Sequence, residues 1–396
     1  MRDPALPSSS KGAPRFADLV APLTEEAFFS EYWTQKPLVA THSESLLEGL
    51  FDLDDLERYL VSVQPGVGSL LLVREGKPAP TTVFEDMFRE GYSTQTVYSA
   101  FSEGYTIVLN FVHERWPPVK LLTTHLEEVL QCKVQTNIYI TGESSQGFGV
   151  HSDLHDVLIL QTHGAKNWTI YPKPGGGEAP LLELVMEKGT VLYMPQGFPH
   201  AAHTKSGFSV HLSIGIHHYT WLDLAGDALR NAAGADPAWR QPVPWAVLRG
   251  LEAPPAPAEI EARVRSAFAG EDAVLAAIGA YKARLADSAH RRNPAPTGYV
   301  GSLRHLAAID GETFVRRRPG VGCAVARDFQ GAAIHFLGRL IRAPLHVADA
   351  LEFVQKTESF QVRELPGSLS DRSKAVLVRR LVREGLLQAE TPEGSV

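Results

Sequence analysis

From residue 135 to residue 219 the chain consists of short apolar runs separated by glycine-rich turns. Several short strands at this spacing are typical of a β-barrel or of a jelly roll made of two sheets. The proline- and glycine-rich segment 172–177 is interpreted as a loop between two strands. The candidate strands are residues 135–141, 156–162, 166–171, 190–194 and 208–216. A barrel or double-sheet jelly roll is therefore predicted as the core of the chain.

His151 and Asp153 stand two residues apart in the middle of this region. In an extended strand, residues i and i+2 point to the same face, so this imidazole and this carboxylate can be aimed at one point. Two histidines and one carboxylate on one face are the ligands of many Fe(II) sites, whose remaining positions stay open for chemistry. The pair therefore indicates an iron site that needs a second histidine from elsewhere.

His200 is the best candidate for that histidine, because it follows the predicted strand at 190–194 and a tight turn. The competing candidates are His203, His211, His155 and His163. A single His-x-Asp occurs by chance in many proteins. A further histidine at a strand-and-turn position within a jelly-roll pattern favours a facial triad of metal ligands.

Lys166 lies in an otherwise apolar predicted strand, on the same face as Trp168 and Ile170. One interpretation is that the lysine points outward into solvent. The other is that it points inward, where an ammonium needs a partner. That partner would be the distal carboxylate of a dicarboxylate cosubstrate whose oxo-acid end chelates the iron. Tyr139 and Asn137 either add hydrogen bonds to this ligand or are ordinary strand residues.

Length, charge and cysteine content bound the class of protein. A chain of 396 residues is expected to form two or three domains. The net charge of −7 implies no general attraction to nucleic acid or anionic lipid. Cys132 and Cys323 are far apart, which favours a reducing compartment. With neither a secretory signal nor a run long enough to cross a membrane, we expect a cytoplasmic protein whose first 14 residues are disordered.

Helical patterns flank the strand-rich region on both sides. Residues 24–33 predict a helix capped by Thr24, and residues 117–130 predict a longer amphipathic one. Residues 221–287 are alanine-rich and helical, and they are equally compatible with a dimer interface or a lid. Residues 290–298 resemble a linker.

The last hundred residues predict a further unit. It is expected to contain a helix at 331–342 and an amphipathic helix at 372–385. The expected apolar stripe of the second helix is Val376, Leu377, Leu381 and Val382. Residues 301–396 contain fourteen basic and eleven acidic residues, a weaker basic surplus than a typical DNA-binding surface has. A nucleic-acid-binding regulator is therefore the less favoured interpretation.

Several motifs resemble those of the JmjC oxygenases, and most closely those of the ribosomal-oxygenase branch. They are Asn137-Ile-Tyr-Ile-Thr, Ser145-Gln-Gly-Phe, His151-x-Asp153, Asp156-Val-Leu-Ile-Leu-Gln-x-x-Gly-x-Lys-x-Trp168, Leu192-Tyr-Met-Pro-Gln-Gly-x-x-His200 and Phe28-Phe-x-x-Tyr-Trp-x-x-Lys-Pro-Leu38. The resemblance spans most of the chain, although its C-terminal part is weak.

The resemblance implies an α+β fold with a double-stranded β-helix core of the cupin, or jelly-roll, type. It implies that His151, Asp153 and His200 bind Fe(II). It also implies that Lys166 and Tyr139 bind 2-oxoglutarate. Asn137 and Ser213 are lesser candidates around that cosubstrate.

The domains expected from the resemblance are a disordered segment at 1–14 and a JmjC cupin domain with N-terminal helices at 15–219. A helical dimerisation region at 220–295 and a winged-helix-like domain at 296–396 follow. The implied activity consumes 2-oxoglutarate and O₂ and hydroxylates a side chain of a protein, with a ribosomal protein among the candidates. A homodimer is expected, and membrane or nucleic-acid partners are not. The alternatives are a hydroxylase of a small peptide or natural product, and a non-catalytic cupin or nucleic-acid-binding regulator.

Overall fold

The structure is a computed structural model that describes most of residues 13–389. The positions outside the description are residues 1–12, 67, 81, 84, 86–92, 144–148, 205, 270, 292–298, 319–320, 329–330, 337–338 and 390–396. Most of the N-terminal segment predicted to be disordered and most of the predicted linker at 290–298 lie outside the described residues. Ala13 is described and packs against the core.

Two antiparallel sheets form the β-structured core. The strands are β1 (Leu38–Thr41), β2 (Leu70–Arg74), β3 (Lys77–Pro78), β4 (Thr106–Leu109), β5 (Lys133–Thr141), β6 (Asp156–His163), β7 (Ala165–Ile170), β8 (Leu182–Glu187), β9 (Thr190–Met194), β10 (His200–His203) and β11 (Ser209–His217). The larger sheet has the order β1-β9-β6-β11-β5-β4-β2-β3, and the smaller one has the order β10-β7-β8. This arrangement is consistent with the predicted cupin-type core.

Each face of the larger sheet has its own packing partner. One face packs against helices α1 (Phe16–Val20), α2 (Glu25–Glu31), α3 (Leu53–Val63), α4 (Thr94–Ser102) and α5 (Pro117–Leu130). The other face meets the smaller sheet, where Val157, Trp168 and Met194 are among the buried residues. The predicted helix at 117–130 is confirmed, and Thr24 caps α2 by accepting a hydrogen bond from the Ala27 N–H.

The buried carboxylate of Asp156 forms hydrogen bonds to several segments near His200. It accepts hydrogen bonds from the Tyr193 hydroxyl and, at 2.8 Å, from the Gln196 N–H. The Tyr193 hydroxyl in turn accepts the Thr34 N–H at 2.8 Å. Burial raises the pKa of Asp156, but these hydrogen bonds and His218 outweigh burial and lower it. Asp156 thus connects the N-terminal helices, the start of β6 and the turn that leads to His200.

The rest of the chain forms a helical region and a C-terminal unit with its own core. The helical region contains α6 (Trp221–Ala235), α7 (Trp245–Leu248), α8 (Pro257–Ala267) and α9 (Glu271–Arg291). The C-terminal unit contains α10 (Tyr299–Arg304), β12 (Phe314–Arg317), β13 (Ala324–Asp328), β14 (Gly331–Phe336), β15 (Arg339–Ala343), α11 (Ala348–Lys356), β16 (Ser359–Gln361), α12 (Asp371–Glu384) and β17 (Leu387–Ala389). Its sheets have the orders β16-β12-β17 and β13-β14-β15. Within the described residues, no helix is long and apolar enough to cross a bilayer.

The predicted helix at 331–342 is wrong, because β14 and β15 pair there as antiparallel strands. Gly331 has a φ of 134°, and a Cβ at this position would lie 2.5 Å from the Ala343 carbonyl oxygen. A side chain therefore cannot be accommodated without a backbone shift. Ile334 and Phe336 are buried while His335 between them is exposed, as expected of a strand. Strand pairing overrides the helical propensity of the alanines in this segment.

The predicted apolar stripe of α12 is wrong at one of its four positions, and Leu377 is partly buried against the core. Leu381 and Val382 are buried, but Val376 is 55% exposed. The buried face is completed by Ala375 and Val378 instead. Val376 is two residues from Val378, and two residues rotate a helix by roughly 200°, which places them on opposite sides.

Candidate active site

Two separate segments bring His151, Asp153 and His200 together. One ligand atom from each of the three residues lies within 4.8 Å of the others. His151 and His200 form an isolated antiparallel bridge: the His200 N–H donates to the His151 carbonyl at 2.8 Å, and the reverse bond is 3.1 Å. The Nε2 atom of His200 is 3.6 Å from Oδ2 of Asp153. The structure thus brings the three residues of the predicted triad together in one cluster.

The backbone around the first pair differs from the expectation. His151 lies in the bridge, whereas residues 152–155 are irregular, so the pair is not part of a regular strand. The two side chains converge because the chain turns after His151. The Gly197 N–H donates to the Asp153 carbonyl at 3.0 Å, which holds this turn against the turn that precedes His200.

The hydrogen bonds of both histidines leave their Nε2 atoms available as ligands. Nδ1 of His151 is 2.9 Å from the Gly149 carbonyl, and Nδ1 of His200 is 3.0 Å from the Phe198 carbonyl. A carbonyl can only accept, so each Nδ1 carries the proton and each Nε2 keeps its lone pair. Metal-binding histidines are commonly oriented in this way. Two such nitrogens and one carboxylate are a donor set that suits Fe(II).

Lys166 points inward, as one of the two predicted interpretations requires. It is only 4% exposed and donates a hydrogen bond to Oγ1 of Thr141 at 3.0 Å. Burial lowers the pKa of its ammonium from the ordinary value of 10.5 to about 7. An anionic ligand bound beside Lys166 would favour the protonated, charged form of this amine. The buried lysine is therefore suited to bind an anion.

A cavity of about 240 Å³ joins His151, Asp153 and His200, the candidate metal-binding cluster, to Lys166. Its main wall is a polar ladder across β5 and β11, in which each residue of one strand faces a residue of the other. The rungs are Gln135 with Gly215, Asn137 with Ser213, and Tyr139 with His211. Trp168 and Ile159 are among the apolar lining residues and limit the access of water to the cavity.

The predicted cosubstrate residues Tyr139, Asn137 and Ser213 all line this cavity. Burial, followed by the charge of Asp153, raises the pKa of Tyr139 to about 12, so its hydroxyl remains a donor at neutral pH. Oδ1 of Asn137 accepts the Phe111 N–H at 3.1 Å, which gives this side chain a structural contact as well.

The competing histidines lie outside the cluster. His203 is exposed on β10, His163 ends β6, and His155 lines the cavity. His211 is 3% exposed and stacks flat on Tyr139, with 5.0 Å between ring centroids. Burial and the Lys166 charge lower its pKa well below the ordinary value, so this imidazole is neutral.

Two residues at the Lys166 end of the cavity escaped the sequence prediction. They are Thr141, which accepts from Lys166, and Thr106, whose hydroxyl lies 3.3 Å from that of Thr141. The alternation Asn137, Tyr139, Thr141 on β5 is a usable signal for Thr141, because such residues share a face. Thr106 is on a distant strand, and nothing local in its sequence indicates the pairing.

The free energy of unfolding of the ligand-free protein is expected to rise between about pH 7 and pH 9 because of Lys166. The folded chain releases this proton near pH 7, whereas the unfolded chain keeps it until about pH 10. The unfolded state therefore binds more protons in this range, so raising the pH favours folding by at most about 1.4 kcal/mol per unit. Urea unfolding of the wild type and Lys166→Met at several pH values measures the effect. Parallel pH profiles for the two proteins would contradict the burial of a charged lysine.

Comparison with known proteins defines the class of this core. Residues 116–224, which include α5 and strands β5 to β11, match the family model of the JmjC domain. This part of the chain is thus similar to the JmjC domain, and His151, Asp153 and His200 all lie within the matched residues.

Its relatives include the bifunctional lysine-specific demethylase and histidyl-hydroxylase NO66 of Dictyostelium discoideum. That protein is 28% identical over 247 residues, which cover 54% of this chain and 45% of the relative. Ribosomal oxygenase 2 of Mus musculus is 27% identical over 277 residues, which cover 60% of this chain and 56% of the relative. The chain thus spans about half the length of the curated relatives it matches.

A solved structure with a similar fold is YcfD, a ribosomal oxygenase from Escherichia coli, in complex with cobalt and 2-oxoglutarate. It aligns with a TM-score of 0.56 at 17% identity and covers 93% of this chain and 99% of that chain. A second YcfD structure, with cobalt and succinic acid, gives a TM-score of 0.57 at the same identity. At this identity the likeness shows a shared fold.

Proposed function

We propose that this protein is an Fe(II)- and 2-oxoglutarate-dependent oxygenase that hydroxylates an amino-acid side chain of a protein substrate. The observation that carries the proposal is the convergence of two Nε2 atoms and one carboxylate in a cavity that also contains the buried Lys166 ammonium. A metal site alone occurs in many proteins. The additional buried cation at the same cavity supports a dicarboxylate cosubstrate.

In this proposal His151, Asp153 and His200 hold the iron, which when bound supplies oxidative decarboxylation of 2-oxoglutarate by O₂ coupled to C–H hydroxylation. The side chains of the protein position the reactants. The carbonyls of Gly149 and Phe198 keep both imidazoles in the tautomer that presents Nε2. The apolar lining residues Trp168 and Ile159 limit the access of water to the reacting centre.

The cosubstrate would lie along the ladder with its distal carboxylate at Lys166. Lys166 and Thr141 are placed to bind that carboxylate, and Tyr139 keeps a hydroxyl proton that it can donate. Asn137 and Ser213 face each other on the next rung and are assigned to the same ligand or to the substrate beside it. The YcfD complexes with 2-oxoglutarate and with succinic acid support this choice of cosubstrate.

The names of the relatives support a protein substrate. They include a histidyl-hydroxylase and a ribosomal oxygenase, which makes a histidyl side chain of a ribosomal protein the first candidate. The lining of the cavity includes neutral polar groups, among them those of Gln135, Asn137 and Ser213. Such groups can donate to and accept from a neutral imidazole.

The direct test incubates Fe(II)-loaded protein with 2-oxoglutarate and peptides from ribosomal proteins. A mass gain of one oxygen on a single residue, located by peptide sequencing and dependent on both Fe(II) and 2-oxoglutarate, is the expected result. Loss of the mass of a methylene group from a methylated lysine would instead show demethylation. Iron-dependent succinate formation without any modified ribosomal peptide would indicate a different substrate class, such as a small peptide.

We further propose the domain organisation expected from the sequence, with a cupin domain at 15–219, a dimerisation region at 220–295 and a winged-helix-like unit at 296–396. Two small sheets and the helices α11 and α12 around a separate core support the last unit. Cys132 and Cys323 are both free thiols, which supports a reducing compartment such as the cytoplasm.

A homodimer through the helical region is supported by apolar residues that the single chain leaves in solvent. Among the described residues of this region, seven large apolar side chains are more than half exposed: Trp221, Leu222, Val243, Trp245, Leu248, Leu251 and Leu275. Monomeric proteins rarely expose so many large apolar side chains within one short region. A second copy of the chain is the proposed partner of this surface.

Leu222→Asp is expected to convert the dimer into a monomer, because Leu222 is 82% exposed and a carboxylate in an apolar interface would be desolvated. Multi-angle light scattering on a size-exclusion column measures the mass. Val61→Asp serves as the matched control, since Val61 is 60% exposed on α3, outside this region. A wild-type protein that runs as a monomer at all concentrations would refute the proposed dimer.

A further inference from the structure

A second cavity of about 320 Å³ lies beyond one end of the active-site cavity. It is formed where β5 and β11 meet helices α6 and α9. Its lining includes Lys133 and His217 from the strands and Tyr281 and Arg284 from α9. None of these residues was singled out by the sequence, and the proposed chemistry does not use them.

The two cavities lie along the same face of the same two strands. On β5, Lys133 precedes Gln135 by two residues, and on β11, His217 follows Gly215 by two residues. Residues two apart share a face, so the pair Lys133–His217 continues the ladder of the active-site wall by one rung. The burial of β5 agrees, because each even-numbered residue from Val134 to Ile140 is buried and the odd-numbered residues are more exposed.

Two imidazole rings form the partition between the cavities. His155 lines the first cavity and His217 lines the second, and their ring centroids are 4.7 Å apart. His155 belongs to the segment that carries His151 and Asp153. A Cβ on Gly215 would lie 3.1 Å from the His155 ring, so this glycine lets the segment approach the ladder closely. The metal-binding segment therefore meets the ladder one rung away from Lys133.

The carboxylates around the second cavity have other partners than Lys133. Asp223, which lines the cavity, accepts hydrogen bonds from the Thr220 N–H at 2.9 Å and from the Thr220 hydroxyl at 2.6 Å. The buried carboxylate of Asp227 accepts from Arg230, at 2.8 Å, from Arg284 and from the Tyr219 hydroxyl. Both guanidinium groups are thus already engaged. Lys133 is exposed and makes no ion pair with any residue in the described part of the chain. His217 next to it is half-buried and lines the same cavity.

We propose that this second cavity is a substrate subsite that binds a carboxylate side chain of the polypeptide flanking the target residue. The inference rests on the proposed function, because it takes the active-site cavity to hold the target side chain. A strand rises by about 3.3 Å per residue, so one rung corresponds to roughly 7 Å. An extended substrate chain needs about two residues to span one rung and about four residues to span two rungs. The acidic residue is therefore expected about two to four positions from the target.

The test uses fluorescein-labelled peptides of glycine and serine with one central histidine. One set carries a glutamate two, three or four positions to either side of the histidine, and the matched set carries glutamine there. Fluorescence anisotropy gives the Kd for protein loaded with Mn(II) and 2-oxoglutarate without O₂. At least one glutamate peptide is expected to bind roughly fivefold more tightly than its glutamine match, as one partly exposed ion pair would allow.

Charge reversal at Lys133 shows whether this lysine causes the preference for the glutamate peptides. Lys133→Glu is expected to abolish or invert the preference, whereas Lys282→Glu is expected to keep it. The control Lys282→Glu makes the same change of charge on α9. Lys282 is exposed and does not line the second cavity. Equal Kd values for glutamate and glutamine peptides with the wild type, including the absence of binding by both, would overturn the subsite. So would a preference that persists in Lys133→Glu.

The proposed function is measured separately in the same preparations. Fe(II)-dependent formation of succinate by the wild type without any peptide reports on iron and 2-oxoglutarate alone. Succinate formation together with equal peptide affinities would remove the subsite and leave the oxygenase. Its absence from the wild type, with and without a peptide that binds, would remove the oxygenase.

Discussion

Replacing His200 with alanine is expected to lower Fe(II)-dependent succinate formation by more than about 100-fold. Loss of an outer partner of a metal ligand already costs about 10–100-fold in metal affinity or activity, and His200 is itself one of the three proposed ligands. His151→Ala and Asp153→Ala are expected to act in the same way. Bound iron after gel filtration, measured by mass spectrometry, should fall with the activity in all three variants.

His203→Ala is the matched control for these variants. His203 lies on the same strand as His200, three residues further on, but it is exposed and does not line the cavity. It is expected to keep both iron and turnover. Normal succinate formation by His200→Ala, or an equal loss in His203→Ala, would contradict the assignment of the ligands.

Lys166→Met is expected to raise the KM for 2-oxoglutarate by roughly 10- to 150-fold. A hydrogen bond to a charged group contributes about 1.5–3 kcal/mol, which corresponds to that range. Methionine matches the unbranched apolar stem of lysine in length and lacks the ammonium. Iron binding should remain, because Lys166 is not part of the metal-binding cluster.

The stability of Lys166→Met separates a binding role from a structural one. Within the described residues Lys166 has no ionic partner, and a buried charge without one is costly. Replacing it with an apolar group is therefore expected to be neutral or stabilising. The thermal midpoint without ligand is therefore expected to stay the same or rise, while the shift produced by 2-oxoglutarate should shrink. Lys356→Met, on the exposed side of α11, is the control for the loss of one lysine. A large fall in the midpoint with unchanged KM would show that Lys166 serves only the fold.

The sequence predicted the convergence of His151, Asp153 and His200, but it left two directions open for the Lys166 side chain. The spacing placed Lys166 on the same face as Trp168, and the structure shows that this face of the strand is buried. His200 follows a recognisable strand and turn. The cluster forms even though residues 152–155 are irregular, since a spacing of two residues keeps side chains close in several backbone conformations.

The features that escaped prediction depend on contacts between distant segments. Strands β8 and β10 are short and of mixed polarity, and β10 is defined mainly by its pairing with β7. The ladder of Tyr139 with His211 and of Lys133 with His217 requires the register between β5 and β11, which no local pattern shows. The same holds for the hairpin of β14 and β15, where pairing outweighs helical propensity.

The central claim is most directly tested by a crystal structure grown with Mn(II) and 2-oxoglutarate. One anomalous peak is predicted, about 2.0–2.3 Å from Nε2 of His151, a carboxylate oxygen of Asp153 and Nε2 of His200. The far carboxylate of the cosubstrate should lie within hydrogen-bonding distance of the Lys166 ammonium. A peak that lacks any of these three ligands, or a cosubstrate whose carboxylate lies away from Lys166, would contradict the proposed oxygenase.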